Sequence, residues 1–309
     1  MITYAENFVA SADGTKIGYR TLGSGPDVVL LHGAMESAHS HMGMARALAD
    51  RFRVHLPDRR GRGASGPHPE GYGIHTEVAD LAAVVGETSA SRVFGVSEGG
   101  LIVLAAAREL PAIRKIAVYE PALITEGTAY TSWLARYDRE MADAKVADAL
   151  VTSMTGLRLG PPAWFPRRLL TAATSVMMKS QDKKAVPGEP TMRQLAPTLH
   201  YTGLLLAEMT GQVHGFADVS ADVLLLSASK GLSWLRPGFD ALAEVLPGVA
   251  RHEFAGLDHG GSGDPGKTNP GGKPEIVAAE VGRFFATASA TPDGASPCSG
   301  DAAAGRTAR

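Results

Sequence analysis

Short runs rich in β-branched and apolar residues alternate with longer amphipathic stretches along most of this chain, and that alternation predicts a parallel β-sheet with helices packed on it. VVLLH (28–32) precedes a helical stretch near 39–50, FRVHL (52–56) precedes one near 75–88, and RVFGV (92–96) precedes one at about 98–110. KIAVYE (115–120) follows. After a long gap come DVLLLSA (222–228), a helix near 237–246, ARHEF (250–254) and a last helix near 274–286. Ahead of them all, residues 8–22 hold two β-rich runs around Asp13-Gly14, a hairpin signal, so the sheet is expected to have about eight strands and to open with an antiparallel pair.

The gap between the sixth and seventh strands is helix-rich, with candidates near 130–155, 165–180 and 191–212, punctuated by Pro161-Pro162 and Pro187-Gly188. It reads as a helical lid inserted after the sixth strand. The expected organisation is a core of residues 1–121 and 222–287, a lid of 122–221 and a disordered tail of 288–309. The tail is dominated by Ala, Gly, Ser, Thr and Pro, so burial cannot offset the entropy of ordering it. Met141, Met154, Met177, Met178, Met192 and Met209 fall in the lid with Trp133, Trp164 and Phe165. Helix-core packing is the favoured reason, a malleable pocket lining the other.

Among the 309 residues, 30 are Lys or Arg and 32 Asp or Glu, a formal charge of −2 that lacks the basic excess of a nucleic-acid binder. Cys298 is the only cysteine, which excludes an intrachain disulfide and a multi-cysteine zinc site and makes a cytoplasmic location the expectation. The opening MITYAENFVA has no secretory pattern, and the longest wholly apolar run, residues 101–107, is far below the roughly 20 residues a membrane span needs. No membrane segment is expected.

Gly95-Val96-Ser97-Glu98-Gly99-Gly100 lies between a predicted strand and a predicted helix, the context of a nucleophile elbow. A serine in so tight a turn is strained and projects above the sheet, while the flanking glycines let strand and helix approach. The helix N-terminus offers unpaired N–H groups where an oxyanion would form. The plain alternative is a Gly-rich turn with a surface serine. A nucleophilic serine needs a base, and His259 in AGLDHGG, in a loop past the last strand, has the right place in the order nucleophile, acid, histidine. The other nine histidines (His32, His39, His41, His55, His68, His75, His200, His214 and His252) lack that placement. His39-Ser40-His41 has the look of a metal pair, but no third ligand is spaced to complete it, and no metal is expected.

On these features the chain resembles the α/β-hydrolase-fold enzymes of the lidded type, which include small-molecule esterases, lactonases and cofactor-free haloperoxidases. The resemblance covers about residues 8–287 and rests on the strand order, VVLLHGAM (28–35), PDRRGRGAS (57–65), the GVSEGG elbow and the late GLDHGG. It implies an α/β fold with a mostly parallel eight-stranded sheet and helices on both faces. It also implies an oxyanion hole formed by the backbone N–H groups of Ala34 and Glu98. The usual family acid follows the seventh strand, yet residues 223–239, VLLLSASKGLSWLRPGF, contain no Asp or Glu and put Lys230 near that place. An acid at the end of the sixth strand is the family's alternative, as in zearalenone lactonases and some haloalkane dehalogenases. Glu120 in AVYEPAL occupies that place and is assigned as the third member; Asp258, adjacent to the histidine, is poorly placed to fold back onto its ring.

Two further signals are set aside. Residues 261–268, GSGDPGKT, fit GxxxxGK[ST], but the following Asn269-Pro270-Gly271-Gly272-Lys273-Pro274 interrupts the helix a phosphate loop requires, and a mobile loop beside His259 is the better reading. Gly61 to Gly66, GRGASG, fits GxGxxG, but Pro67-His68-Pro69 replaces the needed helix. Asp58 and its neighbouring arginines are expected to tie down a surface loop. Glu98 is expected to turn its charge outward, because an acid at a helix N-terminus is favoured there and would otherwise oppose the oxyanion.

The expected activity is cofactor-free hydrolysis of an ester, lactone or thioester of a small apolar acyl compound through Ser97, His259 and Glu120. Perhydrolysis, a biosynthetic cyclisation or cleavage on the same fold, and a non-catalytic ligand-binding protein remain as alternatives. The expected partner is a small-molecule substrate, with no nucleic acid and no membrane; oligomeric state is not readable.

Overall fold

The computed structural model describes residues 4–127, 130–162, 164–186 and 188–288. Ala288 apart, the tail expected at 288–309 lies outside the described residues. In chain order the elements are β1 (Ala5–Ala10), β2 (Lys16–Gly23), β3 (Asp27–Leu31), α1 (Met42–Leu48), β4 (Arg53–Pro57), α2 (Ile74–Thr88), β5 (Arg92–Val96), α3 (Glu98–Glu109) and β6 (Lys115–Tyr119). There follow α4 (Leu134–Ala142), α5 (Val146–Gly156), α6 (Arg167–Asp182), α7 (Met192–Leu195), α8 (Thr198–Met209), β7 (Asp222–Lys230), α9 (Arg236–Val245), β8 (Ala250–Asp258) and α10 (Pro274–Ala286).

The eight strands form one sheet in the order β1-β2-β4-β3-β5-β6-β7-β8. β2 pairs antiparallel with both β1 and β4, and every other pairing is parallel. The parallel strands β3, β5 and β6 are covered on both faces, which is why their sequences are nearly unbroken apolar runs rather than alternating ones. One face packs on α1 and α10 through Met44, Leu48, Val277, Val281 and Phe285. The other carries α2, α3 and α9 through Val78, Leu81, Leu101, Leu104 and Leu242, and its apolar layer continues into the helices inserted after β6.

The helix expected over 130–155 is two helices. Ala144 takes a left-handed backbone (φ 58), and the N–H groups of Asp143 and Lys145 close the end of α4 on the Arg139 and Glu140 carbonyls. The chain turns back there so that Tyr137 and Leu150 share the same apolar layer. No helix among the described residues is long and apolar enough to cross a membrane.

Candidate active site

Ser97 is the single residue between β5 and α3, with φ 53 and ψ −120, a backbone conformation that few non-glycine residues adopt. Two glycines make the turn sterically possible. A Cβ on Gly99 would lie 2.5 Å from the His32 carbonyl oxygen, and one on Gly95 would lie 2.5 Å from the Gly99 carbonyl oxygen. The turn is tied to its surroundings by the Ser97 N–H, which donates to the Tyr119 carbonyl (2.9 Å), and by the Ser97 carbonyl, which accepts the Leu101 and Ala122 N–H groups. As the first residue of α3, Glu98 has an N–H with no acceptor within the helix.

At the end of β6, Glu120 also has a left-handed backbone (φ 43) and is buried. One carboxylate oxygen accepts the Ala228 N–H at 3.2 Å, and the other lies 2.7 Å from His259 Nδ1. His259 follows β8, where the Tyr119 hydroxyl donates to the Asp258 carbonyl at 2.6 Å. Asp258 itself turns away from the imidazole: its Oδ1 accepts the Gly260 N–H at 3.0 Å. Ser97 and His259 line one cavity of about 140 Å3, together with Ala34, Glu98, Leu206 and Trp234. The four predicted residues Ser97, His259, Ala34 and Glu98 thus meet at one cavity, with Glu120 behind the histidine. None of the six lid methionines lines it, and Met178 and Met209 are buried in the core instead.

The outward orientation expected for Glu98 is not found. Its side chain is 1% exposed and forms a two-point ion pair with Arg59, Nη1 to Oε2 at 2.9 Å and Nη2 to Oε1 at 3.0 Å. Thr202 on α8 adds a hydroxyl donor at 3.1 Å. Arg59 holds Glu77 equally through Nε and Nη2, and the Tyr72 hydroxyl donates to Glu77. The Glu98 carboxylate is therefore met inside the protein by a guanidinium and a hydroxyl, the partners a buried carboxylate requires. Burial alone would raise the Glu77 carboxyl, but Arg59, Arg62 and the Tyr72 hydroxyl outweigh it and bring it down to about 2.

Asp58 and its arginines do fasten a loop, but a buried one: Asp58, Arg59, Arg60 and Arg62 are all at most 3% exposed. Asp58 accepts from Arg20 and from the N–H groups of Ala38 and Ala64, while Arg60 pairs with Asp13 and Asp80. These partners are far apart in sequence, so the loop looked superficial there. The loop expected to be mobile beside His259 is likewise laced down. Asp264 accepts the Gly43 N–H at 2.7 Å and donates its own N–H to Ser40, and the Asn269 side chain donates to the Gly260 and Asp264 carbonyls.

Sequence reasoning passed over Glu36, which also lines the cavity. Its Oε2 accepts the Gly33 N–H at 2.7 Å and lies 3.1 Å from His41 Nε2. Nothing in the local pattern marks it except its place in the HGAME run. His39 faces Glu189 instead, so the two histidines of His39-Ser40-His41 have separate carboxylate partners. Among the described residues no group of three or more His, Cys, Asp or Glu side chains is placed to hold a metal.

Comparison with known proteins gives a consistent picture. The sequence model described as "Alpha/beta hydrolase family" matches residues 28–270. An alpha/beta hydrolase from Sphaerobacter thermophilus is similar in structure, with a TM-score of 0.71 and 29% identity over 90% of this chain and 100% of that one. An esterase from Thermogutta terrifontis shares the fold, with a TM-score of 0.64 and 18% identity over 91% of this chain and 98% of that one. A pimeloyl-[acyl-carrier protein] methyl ester esterase of Chromobacterium violaceum is 46% identical over 82 residues, 26% of this chain. A soluble epoxide hydrolase of a Corynebacterium is 33% identical over 93 residues, 30% of this chain. The chain spans about a third of the length of these two relatives, 31% and 32%.

Proposed function

The chain belongs to the alpha/beta hydrolase family, and on that premise we propose that it is a serine hydrolase of small apolar acyl esters, lactones or thioesters. The observation that carries this reading is a cavity walled by both Ser97 and His259, with the far nitrogen of the imidazole held by Glu120 at 2.7 Å. With Nδ1–H given to the carboxylate, the Nε2 lone pair is the base that takes the Ser97 proton as the hydroxyl attacks the carbonyl. Glu120 fixes the tautomer and stabilises the imidazolium without accepting its proton. The Ala34 and Glu98 N–H groups receive the oxyanion of the tetrahedral intermediate. His259 then protonates the leaving group and deprotonates the water that clears the acyl-enzyme.

Leu157, Leu159, Leu206 and Trp234 make much of the cavity wall apolar, which supports a small apolar acyl group. A serine nucleophile also favours carbonyl substrates over epoxides. Opening an epoxide would leave an ether on Ser97, which water does not cleave under these conditions, whereas an acyl-serine retains a carbonyl that water attacks. The test is turnover of a panel of short-chain esters, lactones and thioesters by the purified protein and by Ser97→Ala. Turnover by the wild type and none by the variant is the expected result; no turnover of any of them by the wild type overturns the reading.

A further inference from the structure

His41 ends the 3-10 turn Ala38–His41 and is 2% exposed. Its Nε2 lies 3.1 Å from Glu36 Oε2 and its Nδ1 lies 3.2 Å from the Ser262 carbonyl oxygen. A neutral imidazole has one N–H and one lone pair, and a backbone carbonyl only accepts. The carbonyl takes one ring N–H, and with Glu36 held ionised by His41 and by the Gly33 N–H against its burial, the carboxylate takes the other, so the ring is an imidazolium. His32, nearby, shows the contrast. Its Nδ1 meets the Gly33 carbonyl at 2.9 Å while its Nε2 accepts the Arg59 N–H at 3.2 Å, one donor and one acceptor, as a neutral ring needs.

The ring joins two loops that the chemistry above uses. On one side, Glu36 Oε2 also accepts the Gly33 N–H, closing the turn that contains Ala34 and the left-handed Met35 (φ 54). That closure sets the peptide from which the Ala34 N–H projects. On the other side, Ser262 is in the loop that begins at His259, where the Gly261 N–H donates to the Asp258 carbonyl at 3.0 Å. We propose that His41 is a positioning residue for the oxyanion hole, an imidazolium strut that clamps the loop after β3 to the loop carrying His259. The proposal rests on the hydrolase reading. It makes the spacing between the oxyanion donor and the base depend on a residue that touches neither substrate nor Ser97.

The charged surroundings agree. Burial pulls the His41 ring down, but Glu36 on the β3 loop and Asp264 on the β8 loop, with the Ser262 carbonyl, more than offset it and hold the ring above its ordinary 6.5. The neighbouring His32 is held well below that value by burial, Arg62 and Arg59, so it adds little competing charge.

Two measurements decide the matter. In a protein labelled with 15N-histidine, the His41 ring should show both nitrogens protonated at pH 7; a neutral His41 ring overturns the strut. The folded His41→Phe variant, which keeps the ring's bulk and loses both donors, should have kcat lowered about 100-fold with KM within about twofold, the signature of a misplaced transition-state contact. A wild-type kcat in that variant overturns the positioning role. If His41→Phe does not fold, His41→Gln carries the kinetic arm with the same expected and contrary results, and the nitrogen spectrum of the wild type still decides whether the ring is charged. A wild type that neither turns over esters nor takes a fluorophosphonate on Ser97 overturns the hydrolase reading and this proposal with it, an outcome distinct from an active enzyme indifferent to His41.

Discussion

Glu120 Oε2 lies 2.7 Å from His259 Nδ1 while its other oxygen takes the Ala228 N–H, so one buried carboxylate links the end of β6, the strand β7 and the loop after β8. Glu120→Gln keeps the shape but replaces the ionised acceptor that fixes the ring. Its kcat should fall by about 10^3- to 10^4-fold with the melting temperature little changed. Near-normal turnover would remove Glu120 from the mechanism.

Gly231 gives the same carboxylate its space. A methyl group there would overlap Glu120 Oε1, which cannot move aside without losing the Ala228 or the His259 contact. Gly231→Ala is therefore expected to lower kcat about 100-fold although residue 231 takes no part in the chemistry. Unchanged steady-state kinetics would show that the carboxylate has room to shift.

Arg59 is the shared ion-pair partner of Glu77 and Glu98, each at most 2% exposed, and Arg62 is a second buried cation beside them. Removing Arg59 takes the hydrogen-bonded cation from two buried carboxylates at once, so Arg59→Met should cost about 3–5 kcal/mol in urea unfolding. Adding Glu77→Gln and Glu98→Gln should recover much of that loss. If Arg59→Met alone is as stable as the wild type, the ion cluster is not the support described here.

Acid should weaken the fold in two stages. His68, stacked on Tyr201, is brought down to about 3 by burial and by Arg62. Below its ordinary 6.5 the unfolded chain takes up a proton that the folded chain refuses, so stability falls as pH drops from about 6.5 toward 3. Glu77, held at about 2 against an ordinary 4.5, adds a second loss from about 4.5 downward, because the unfolded chain again protonates first. Urea midpoints measured from pH 7 to pH 4 should decline in the wild type and less steeply in His68→Phe, which keeps the stacked ring. Equal slopes would exclude His68 as the source.

What the sequence disclosed follows from how local each feature is. The buried parallel strands are continuous apolar runs, so β3, β5, β6 and β7 were readable to within a residue or two. Ser97 and His259 stood out as candidates because a serine nucleophile and its base demand particular residue types in a particular order between particular elements, and both line the same cavity. The partner of Glu98 was not, since Arg59 lies 39 residues away and its hold on the acid arises only on folding. The same holds for His41, whose contact with Ser262 spans 221 positions. Local propensity favoured an outward Glu98, and a tertiary ion pair overrode it.

The most direct test of the central claim is mass spectrometry after treatment with a fluorophosphonate. One adduct is predicted, on the peptide containing Ser97, absent in Ser97→Ala and formed far more slowly in His259→Gln. Labelling that persists in Ser97→Ala, or a wild type that takes no label, would contradict it.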